Sequence, residues 1–513
     1  MTLKIFIPNE TVANALGANE LVVEFLQYAN NQKQDITITR VGSRGMSWAE
    51  PLIEIETKEG RVGYKEVCID DIPSILQNAI TDNYIGVVDD HPYLKNQERL
   101  IFERCGIINP IKIDEYKALG GLNGLKAALS KSSQVIIDEV KISGLRGRGG
   151  AGFPTGIKWQ TVHDTSSLQK YIICNADEGD SGTFADRLIM EGDPFLLIEG
   201  MVIAGLAVGA SKGIIYLRSE YPLAREVLNN AISVAESSSL LGDNIQGSGK
   251  SFRLTVFMGA GAYICGEETS LLESLEGKRA MVRSKPPLPA IEGYLGKPTV
   301  VNNVLTFCSI PKILDKGGKY YQNFGVGRSK GTQAFQLAGD VKFGGLVEKA
   351  FGVSLNQIIN DFGGGTRSGL PLKTAQVGGP LGAYIPLSQF GIKMDYEAFT
   401  KNEAVLGHGG IVVYNDSIGL LKQAHFAFTF CEVESCGKCT PCRIGSVRGK
   451  EVIEKIQKDG DLPEHIELLE DLCEVMVSGS LCAMGTMTPI PVKSILKHFP
   501  DEFKLNKNKE FSQ

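Results

Sequence analysis

The sequence predicts a multidomain α/β protein that ends in a helical bundle. Its 513 residues exceed what a single hydrophobic core organises, so several domains are expected. Strand-like and helix-like patterns alternate over most of the chain, and the closing stretch turns helical. The composition, with 43% hydrophobic and 22% charged residues, is that of an ordinary globular protein.

The pattern divides the chain into successive units. Residues 1–100 begin with patterns such as "ANELVVEFLQYANN" and "DITITRVG", which predict a small α/β unit. Residues 101–155 form a connector that leads into a glycine-rich loop. In residues 156–323, apolar strands such as "YIICNA" alternate with helical stretches, which predicts an α/β sandwich. Residues 324–417 predict a compact β-rich unit, and residues 418–513 predict the helical bundle.

Charge and hydropathy exclude some classes of function. The net charge of −6 argues against nucleic acid as a partner. The most apolar stretch, residues 195–210, is shorter than a membrane span and is interrupted by Glu199, which predicts a buried helix rather than membrane insertion. The opening "MTLKIFIPNE" does not have the pattern of a signal peptide, and we expect a cytoplasmic protein.

Three cysteines stand three residues apart in "ESCGKCTPCR": Cys436, Cys439 and Cys442. Zinc sites usually supply two separated Cys-x2-Cys pairs. Three cysteines at consecutive spacings with a distant fourth instead match a [4Fe–4S] cluster. The candidates for the fourth ligand are Cys431, Cys473 and Cys482. We choose Cys482 because it follows a helix stop, whereas the other two lie in apolar patterns typical of a core.

The stretch "SGLRGRGGAGFPTGIKW" is a glycine-rich loop. Its formal G-x-G-x-x-G pattern is formed by Gly147, Gly149 and Gly152. Because Phe-Pro-Thr-Gly follows, it is a poor Rossmann fingerprint. Bare backbone amides beside cations can nevertheless hold a flat, anionic cofactor. The cations here are Arg146, Arg148 and Lys158. The alternative is a plain glycine loop.

Two acidic stretches follow apolar strands: "CNADEGDSGTFADR" and "GAGAYICGEETSLLESLEG". Acidic residues at strand ends can bind ribose hydroxyls or the edge of a flavin ring. For any single carboxylate the alternative is the N-cap of a helix. The stretch "KPTVVNNVLT" adds Asn302 and Asn303, whose amides can donate to a phosphate or a ring carbonyl.

Together these motifs, with "KPPLPA" and "GSLCAMG", resemble the family of NADH-binding flavoprotein subunits of complex I over residues 115–495. Related subunits serve NAD-reducing hydrogenases and NAD-dependent formate dehydrogenases. The segments "NADEGDSGTFADRLIMEGDPFLLIEGM" and "GSLCAMGTMTP" most resemble the β (diaphorase) subunit of soluble molybdenum formate dehydrogenases. The resemblance implies a Rossmann-like FMN domain over residues 156–323, a ubiquitin-like β-grasp domain over 324–417 and a [4Fe–4S] bundle over 418–513.

The resemblance also implies the binding residues for FMN and NAD(H), with no side chain acting as acid or base. NADH is expected to stack near Phe153, with Asp180, Glu268 and Lys285 touching the dinucleotide. Asp180 stands where the family has Glu, and Leu288 replaces a Phe that flanks the adenine. Arg148 and Glu178 are counted with the cofactor site. The residues implied to hold FMN are Gly147, Gly149, Gly150, Lys158, Asn175, Asp177, Tyr263, Gly266, Glu267, Asn302 and Asn303.

Residues 1–100 resemble a thioredoxin-like [2Fe–2S] module in which all four ligand cysteines are replaced. The replacing residues are Pro8, Ala13, Ser43 and Ser47. We therefore expect this domain to carry no cluster and to dock partners. The expected partners are a small [2Fe–2S] thioredoxin-like subunit and a molybdopterin/Fe–S catalytic subunit that oxidises formate. The alternatives are an NADH-quinone oxidoreductase, an NAD-reducing hydrogenase, or a non-enzymatic scaffold with zinc at the four cysteines.

Overall fold

Four β-sheets organise the chain in a computed structural model that describes residues 2–504; the last nine residues of the predicted bundle lie outside this range. The strands are β1 (Leu3–Pro8), β2 (Ile36–Val41), β3 (Ile53–Thr57), β4 (Gly60–Tyr64), β5 (Tyr84–Val87), β6 (Tyr171–Ala176), β7 (Lys212–Leu217), β8 (Arg253–Met258), β9 (Thr299–Asn303), β10 (Gly325–Val326), β11 (Ser329–Lys330), β12 (Thr332–Gly339), β13 (Gly345–Ala350), β14 (Leu372–Val377), β15 (Ala383–Pro386) and β16 (Gly410–Asn415).

The helices cover the sheets and form the closing bundle. They are α1 (Thr11–Ala15), α2 (Ala18–Gln32), α3 (Ile72–Leu76), α4 (Pro92–Lys95), α5 (Ile113–Ala118), α6 (Asn123–Leu129), α7 (Ser133–Ser143), α8 (Thr155–Asp164), α9 (Ala185–Gly192), α10 (Pro194–Val208), α11 (Pro222–Ser237), α12 (Glu268–Leu275), α13 (Val304–Lys316), α14 (Gly318–Gln322), α15 (Tyr396–Lys401), α16 (Leu420–Glu434), α17 (Thr440–Asp459), α18 (Pro463–Gly479), α19 (Ala483–Met487) and α20 (Pro489–His498). A short 3₁₀ turn over Tyr263–Gly266 precedes α12.

The N-terminal sheet has the strand order β2-β1-β3-β4-β5. β1 and β2 run parallel because α2 crosses between them, whereas β3 runs antiparallel to both β1 and β4. α2 buries Leu21, Phe25 and Ala29, which stand four residues apart and so share one face of the helix. The predicted small α/β unit is therefore present.

Carboxylates contact two of the positions at which the resemblance expects replaced ligand cysteines, Ser43 and Ala13. Ser43 donates from Oγ to Oε1 of Glu50 at 2.7 Å, and the other Glu50 oxygen accepts from the backbone N–H of Leu52. Glu10 caps α1 and also pairs with Arg187 at 3.1 Å. Thr11 donates to Glu191 on α9. The unit is thus bonded directly to the rest of the chain.

The central sheet is wholly parallel, in the order β8-β7-β6-β9. β9, which the sequence pattern did not predict as a strand, adds beside β6 on the side opposite β7. The strand order therefore reverses between β6 and β9, and such a reversal opens a crevice at the carboxyl ends of the two strands.

The apolar stretch predicted to be a buried helix is α10, and it packs inside this domain. Its one carboxylate, Glu199, accepts from the Tyr116 hydroxyl and from the backbone N–H groups of Leu122 and Leu125. These donors lie in residues 101–155, so the predicted connector belongs to the same core as the sheet. Among the described residues, no helix is both long and apolar enough to cross a membrane.

The β-rich unit is a mixed sheet in the order β13-β12-β16-β14-β15, in which only the β12–β16 pair is parallel. Its core also takes in Met46, Tyr93 and Leu94 from the N-terminal unit. In the closing bundle, α16, α17, α18 and α20 pack around Phe428, Leu469 and Met476. Both of these predicted units are present.

We predict that Glu50→Gln changes how stability depends on pH. Burial, together with the nearby Glu10 carboxylate, raises the pKa of Glu50 from 4.5 to about 8. The folded chain therefore holds a proton that the unfolded chain releases, and stability falls as pH rises from 4.5 toward 8. The stability advantage of E50Q over the unmodified chain should grow by roughly 1–3 kcal/mol between about pH 6 and pH 8.

Thermal unfolding of both proteins at the two pH values measures this difference. Glu59→Gln, in the exposed turn between β3 and β4, is the matched control and should track the unmodified chain. An unchanged pH dependence in E50Q would contradict the prediction.

Candidate functional site

The crevice between β6 and β9 collects most of the residues predicted to bind FMN. Asn175 and Asn303 stand opposite each other at the carboxyl ends of these strands. The glycine loop closes on them: a Cβ on Gly149 would lie 3.1 Å from the Cβ of Asn303. A side chain at this position would push against Asn303, so glycine lets the backbone come this close without strain. The crevice is therefore lined on one side by bare backbone.

The glycine loop is a narrow hairpin. Its ends are joined by a hydrogen bond from the Gly147 N–H to the Phe153 carbonyl, 2.9 Å long. Gly150 and Gly152 have φ values of 102° and 59°, which side chains other than glycine rarely adopt. Within the described part of the chain, no atom beyond its chain neighbours lies within 3.5 Å of a Cβ placed on Gly147, and Phe153 is 49% exposed. The loop offers free backbone and an open aromatic face.

The first acidic stretch meets the second at the end of β6. Asn175 donates from Nδ2 to the Gly266 carbonyl at 2.8 Å, and its Oδ1 accepts from the Asp177 N–H. One carboxyl oxygen of Asp177 is buried with no hydrogen-bond partner among the described residues. Burial, only partly offset by Arg218, raises the pKa of Asp177 to about 7. An orphaned polar atom at the edge of the crevice can bond to a bound group or to a water molecule.

Asp180 lies between Tyr263 and the β-rich unit. It accepts from the Tyr263 hydroxyl at 2.8 Å. On its other side Gly379, at φ 80°, leaves room for it, since a Cβ there would lie 2.5 Å from the Asp180 carboxyl carbon. Burial raises the pKa of Asp180, although the Tyr263 hydrogen bond opposes the rise.

A cluster of two carboxylates and two ammonium groups stands at the start of α12. Lys285 contacts Glu267 and Glu268 at 2.9 Å each, and Lys158 contacts Glu268 at 3.3 Å. Burial would raise the pKa of Glu268, but the two lysines outweigh it and lower that pKa. Glu267 is also the N-cap of α12, which is the structural role expected as the alternative for a single carboxylate in these stretches. The ammonium groups remain partly exposed and can receive phosphate oxygens.

The charged groups of two predicted cofactor residues, Arg148 and Glu178, form hydrogen bonds within the protein. The guanidinium of Arg148 is buried and donates to the Thr332 and Lys330 carbonyls and the Tyr321 hydroxyl. The Glu178 carboxylate accepts from backbone N–H groups at the start of α9 and from the Tyr221 hydroxyl. The expectation that Arg148 offers a free cation is therefore wrong: its charge satisfies carbonyls at the domain boundary.

The asparagine pair is also partly committed within the protein. Oδ1 of Asn302 accepts from the Trp159 indole at 3.0 Å. Asn303 caps α13 through Oδ1, and its Nδ2 donates to Asp186 at 2.6 Å. These bonds fix the orientation of both amides at the floor of the crevice.

All four predicted metal ligands line one small cavity. Its lining consists of Cys436, Cys439, Cys442 and Cys482 together with Ile264, Val282, Lys438, Leu481 and Met484. No three cysteine sulfurs of the described chain lie within 4.8 Å of one another. A tetrahedral zinc would need sulfurs about 3.8 Å apart. Four thiols spread around a larger space fit an iron–sulfur cluster better than a single ion.

The other two cysteine candidates lie outside this lining. Cys473 is buried in the apolar face of α18, as predicted. Cys431 is buried on α16, and its sulfur lies 3.6 Å from that of Cys442. Ser435 also contacts the Cys442 sulfur, at 3.2 Å. The Cys431 thiol thus contacts the predicted ligand Cys442 from the buried side.

The cysteine cavity and the crevice share a wall, the 3₁₀ turn over Tyr263–Gly266. Ile264 faces the cavity, whereas Tyr263 and Gly266 bond to crevice residues. Glu434, just before the cysteines, accepts from the Tyr263 N–H at 3.0 Å, and Lys438 donates to the Val282 carbonyl at 2.7 Å. Neither residue was predicted from the sequence, although their position beside the cysteines was a signal.

Two regions of the chain match known domain families. Residues 140–312 match the Nuo51 FMN-binding domain, and residues 422–506 match the iron–sulfur binding region of NADH-ubiquinone oxidoreductase-F. The chain is 44% identical to the NADP-reducing hydrogenase subunit HndC of Solidesulfovibrio fructosivorans, over 80% of this chain and 84% of that one. It is 41% identical to the F subunit of NADH-quinone oxidoreductase from Salmonella typhimurium, over 79% and 91%.

A solved structure extends the similarity to the N-terminal unit. The NAD⁺-reducing [NiFe]-hydrogenase in its H₂-reduced state aligns with a TM-score of 0.70 and 28% identity. The alignment covers 99% of this chain and 85% of the hydrogenase chain.

We predict that Cys482→Ala removes the cluster, whereas Cys473→Ala retains it. Loss of one thiolate leaves an iron uncoordinated, and the iron content should fall well below the value of about four per chain expected for [4Fe–4S]. Iron analysis and visible absorbance of the anaerobically purified variants measure the outcome. Cys431→Ala is the decisive companion: if it loses iron while C482A keeps it, the fourth ligand is Cys431.

Proposed function

The chain belongs to the family that comprises the F subunits of NADH-quinone oxidoreductases and the related hydrogenase subunits, and from this premise we propose how its two sites work together. It carries an FMN-binding domain and a [4Fe–4S]-binding region, and it is an oxidoreductase subunit of the NADH dehydrogenase type. Our proposal is that electrons pass between NAD(H) in the crevice and the cluster in the cysteine cavity.

The observation that carries this proposal is the shared wall. A single 3₁₀ turn contributes Ile264 to the cysteine cavity and Tyr263 and Gly266 to the crevice. Bound FMN supplies the conversion between two-electron hydride transfer and one-electron transfer. One turn of backbone between the sites keeps the path short, and Glu434 fixes that turn to the cluster domain through the Tyr263 N–H.

The crevice residues bind and orient rather than exchange protons. The loop backbone at Gly147, Gly149 and Gly150 forms one face, and the amides of Asn175, Asn302 and Asn303 form the floor. The orphaned Asp177 oxygen can bond to a ring N–H or a hydroxyl. Phe153, Asp180, Glu268 and Lys285 line the approach for NADH. We assign Arg148 and Glu178 a supporting role beneath the loop. The exposed Leu288 offers aliphatic contact in place of an aromatic stack.

For the partner, we propose a soluble hydrogenase-type catalytic subunit as the first candidate. The similarity to the NAD⁺-reducing hydrogenase chain spans nearly the whole of this chain, N-terminal unit included. We interpret that unit as a thioredoxin-like docking domain, since α2 crosses between the parallel β1 and β2 and an antiparallel pair completes the sheet. The β-rich unit is correspondingly proposed to be a β-grasp domain.

A molybdopterin formate dehydrogenase subunit is the second candidate. It is favoured by the segments "NADEGDSGTFADRLIMEGDPFLLIEGM" and "GSLCAMGTMTP". Purification of the chain with its native partners separates the candidates: hydrogen, formate or a quinone is supplied in turn, and NAD and NADP reduction or NADH oxidation is followed. Absence of both flavin absorbance and NADH–ferricyanide activity would refute the electron-transfer proposal itself.

We predict that Lys285→Ala raises the KM for NADH about tenfold with little change in kcat. The ammonium group would contact the dinucleotide equally in the ground and transition states, so its loss weakens binding without slowing chemistry. NADH–ferricyanide kinetics measure both constants. Lys278→Ala, an exposed lysine paired with Glu276, is the control and should leave both constants unchanged. A fall in kcat at constant KM in K285A would contradict this role.

A further inference from the structure

A buried histidine, His408, joins the β-rich unit to the floor of the crevice. It lies in the loop between α15 and β16 and is 6% exposed. Its Nδ1 is 2.8 Å from the Arg148 carbonyl of the glycine loop. Its Nε2 is 3.3 Å from Glu178 Oε1 and 3.3 Å from Asp186 Oδ1. No motif in the sequence pointed to this residue.

The surroundings determine the protonation of the ring. Nδ1 faces a carbonyl oxygen and must donate to it, since both atoms would otherwise present lone pairs. Nε2 lies 3.3 Å from an oxygen of each carboxylate, and two negative charges this close favour a proton on it as well. Burial alone would lower the pKa of His408, but Asp186 and Glu178 outweigh it and raise that pKa well above its ordinary value. The ring is therefore an imidazolium.

The three groups that contact this ring belong to two of the cofactor motifs, and Asp186 links them to a third. Arg148 lies in the glycine loop, and Glu178 belongs to the acidic stretch after β6. Asp186 accepts from Nδ2 of Asn303 at 2.6 Å and so reaches the asparagine pair at the end of β9. We propose that His408 is a positioning residue whose positive charge holds these three motifs together and thereby sets the affinity for FMN. The inference deepens the proposed function and rests on FMN lying in the crevice.

Glu178, Asp186 and His408 also have the spacing of a metal site, because their ligand atoms lie within 4.8 Å of one another. The hydrogen bonds favour the imidazolium. Glu178 already accepts two backbone N–H groups and the Tyr221 hydroxyl, and Asp186 already accepts from Asn303. The bond from Nδ1 to the Arg148 carbonyl does not decide between the two, because a metal-bound imidazole makes the same bond.

The first test measures FMN affinity in full-length chains stripped of flavin, by quenching of FMN fluorescence. His408→Gln leaves two buried carboxylates without a cation, and we expect FMN to bind at least tenfold more weakly. Combining it with Asp186→Asn removes one of the opposed charges and still allows the bond from Asn303. The double variant should therefore regain most of the affinity, a recovery that loss of packing alone would not show. His425→Gln, a partly exposed histidine paired with Glu454, is the matched control.

The second test does not depend on flavin. The chain has six histidines, and selective ¹⁵N labelling should show one ring protonated at both nitrogens at alkaline pH, with its signal absent in the double variant. Iron content reports whether each variant has folded around its cluster.

Three results would overturn the inference: unchanged FMN affinity in H408Q, no recovery in the double variant, or a neutral ring. A stoichiometric divalent metal that is lost in H408Q would also overturn it, in favour of a metal site. If the unmodified chain bound no FMN, the proposed function would fail instead, while the ring signal would still report the protonation.

Discussion

Strands β6 and β9 pair in parallel, and Asn175 on β6 lies opposite Asn303 on β9. β7 and β8 extend the sheet on one side of β6, whereas β9 adds on the other. The connections therefore leave a crevice open between the carboxyl ends of these two strands. The glycine loop closes on this opening, and its Gly149 lies against the Asn303 side chain. The remaining contacts of the site are arranged around that crevice.

Buried charges bind the domains into one unit around the crevice. Glu348 on β13 accepts from the backbone N–H groups of Ile101 and Phe102, which belong to the core of the FMN-binding domain. Arg148 crosses the same boundary in the opposite sense, from the loop to the carbonyls of Lys330 and Thr332. Without a partner, such a buried group costs several kcal/mol. Each charge therefore requires the neighbouring domain to be in place.

The helices and most strands followed from hydrophobic period and glycine punctuation, and the buried α10 followed from one interrupted apolar run. Strand β9 could not be predicted in this way, because five residues ending in two asparagines carry too little hydrophobic pattern to distinguish a strand from a loop. The connector was separated from its domain for a related reason: its short helices acquire their apolar partners from α10 and α13, far away along the chain.

Spacing and residue type along the chain were enough to identify the family and to predict the cysteine ligands and the residues of the glycine loop and the acidic stretches. They were enough because sulfur ligation and close backbone approach depend on chemistry that only a few residue types possess. The partner that each charged side chain contacts was decided only by the tertiary structure. Whether Arg148 faces a cofactor or a carbonyl, and whether His408 carries a proton, depends on atoms contributed by distant segments. Hydrogen bonding and burial set those outcomes, and both arise only when the separate domains pack together.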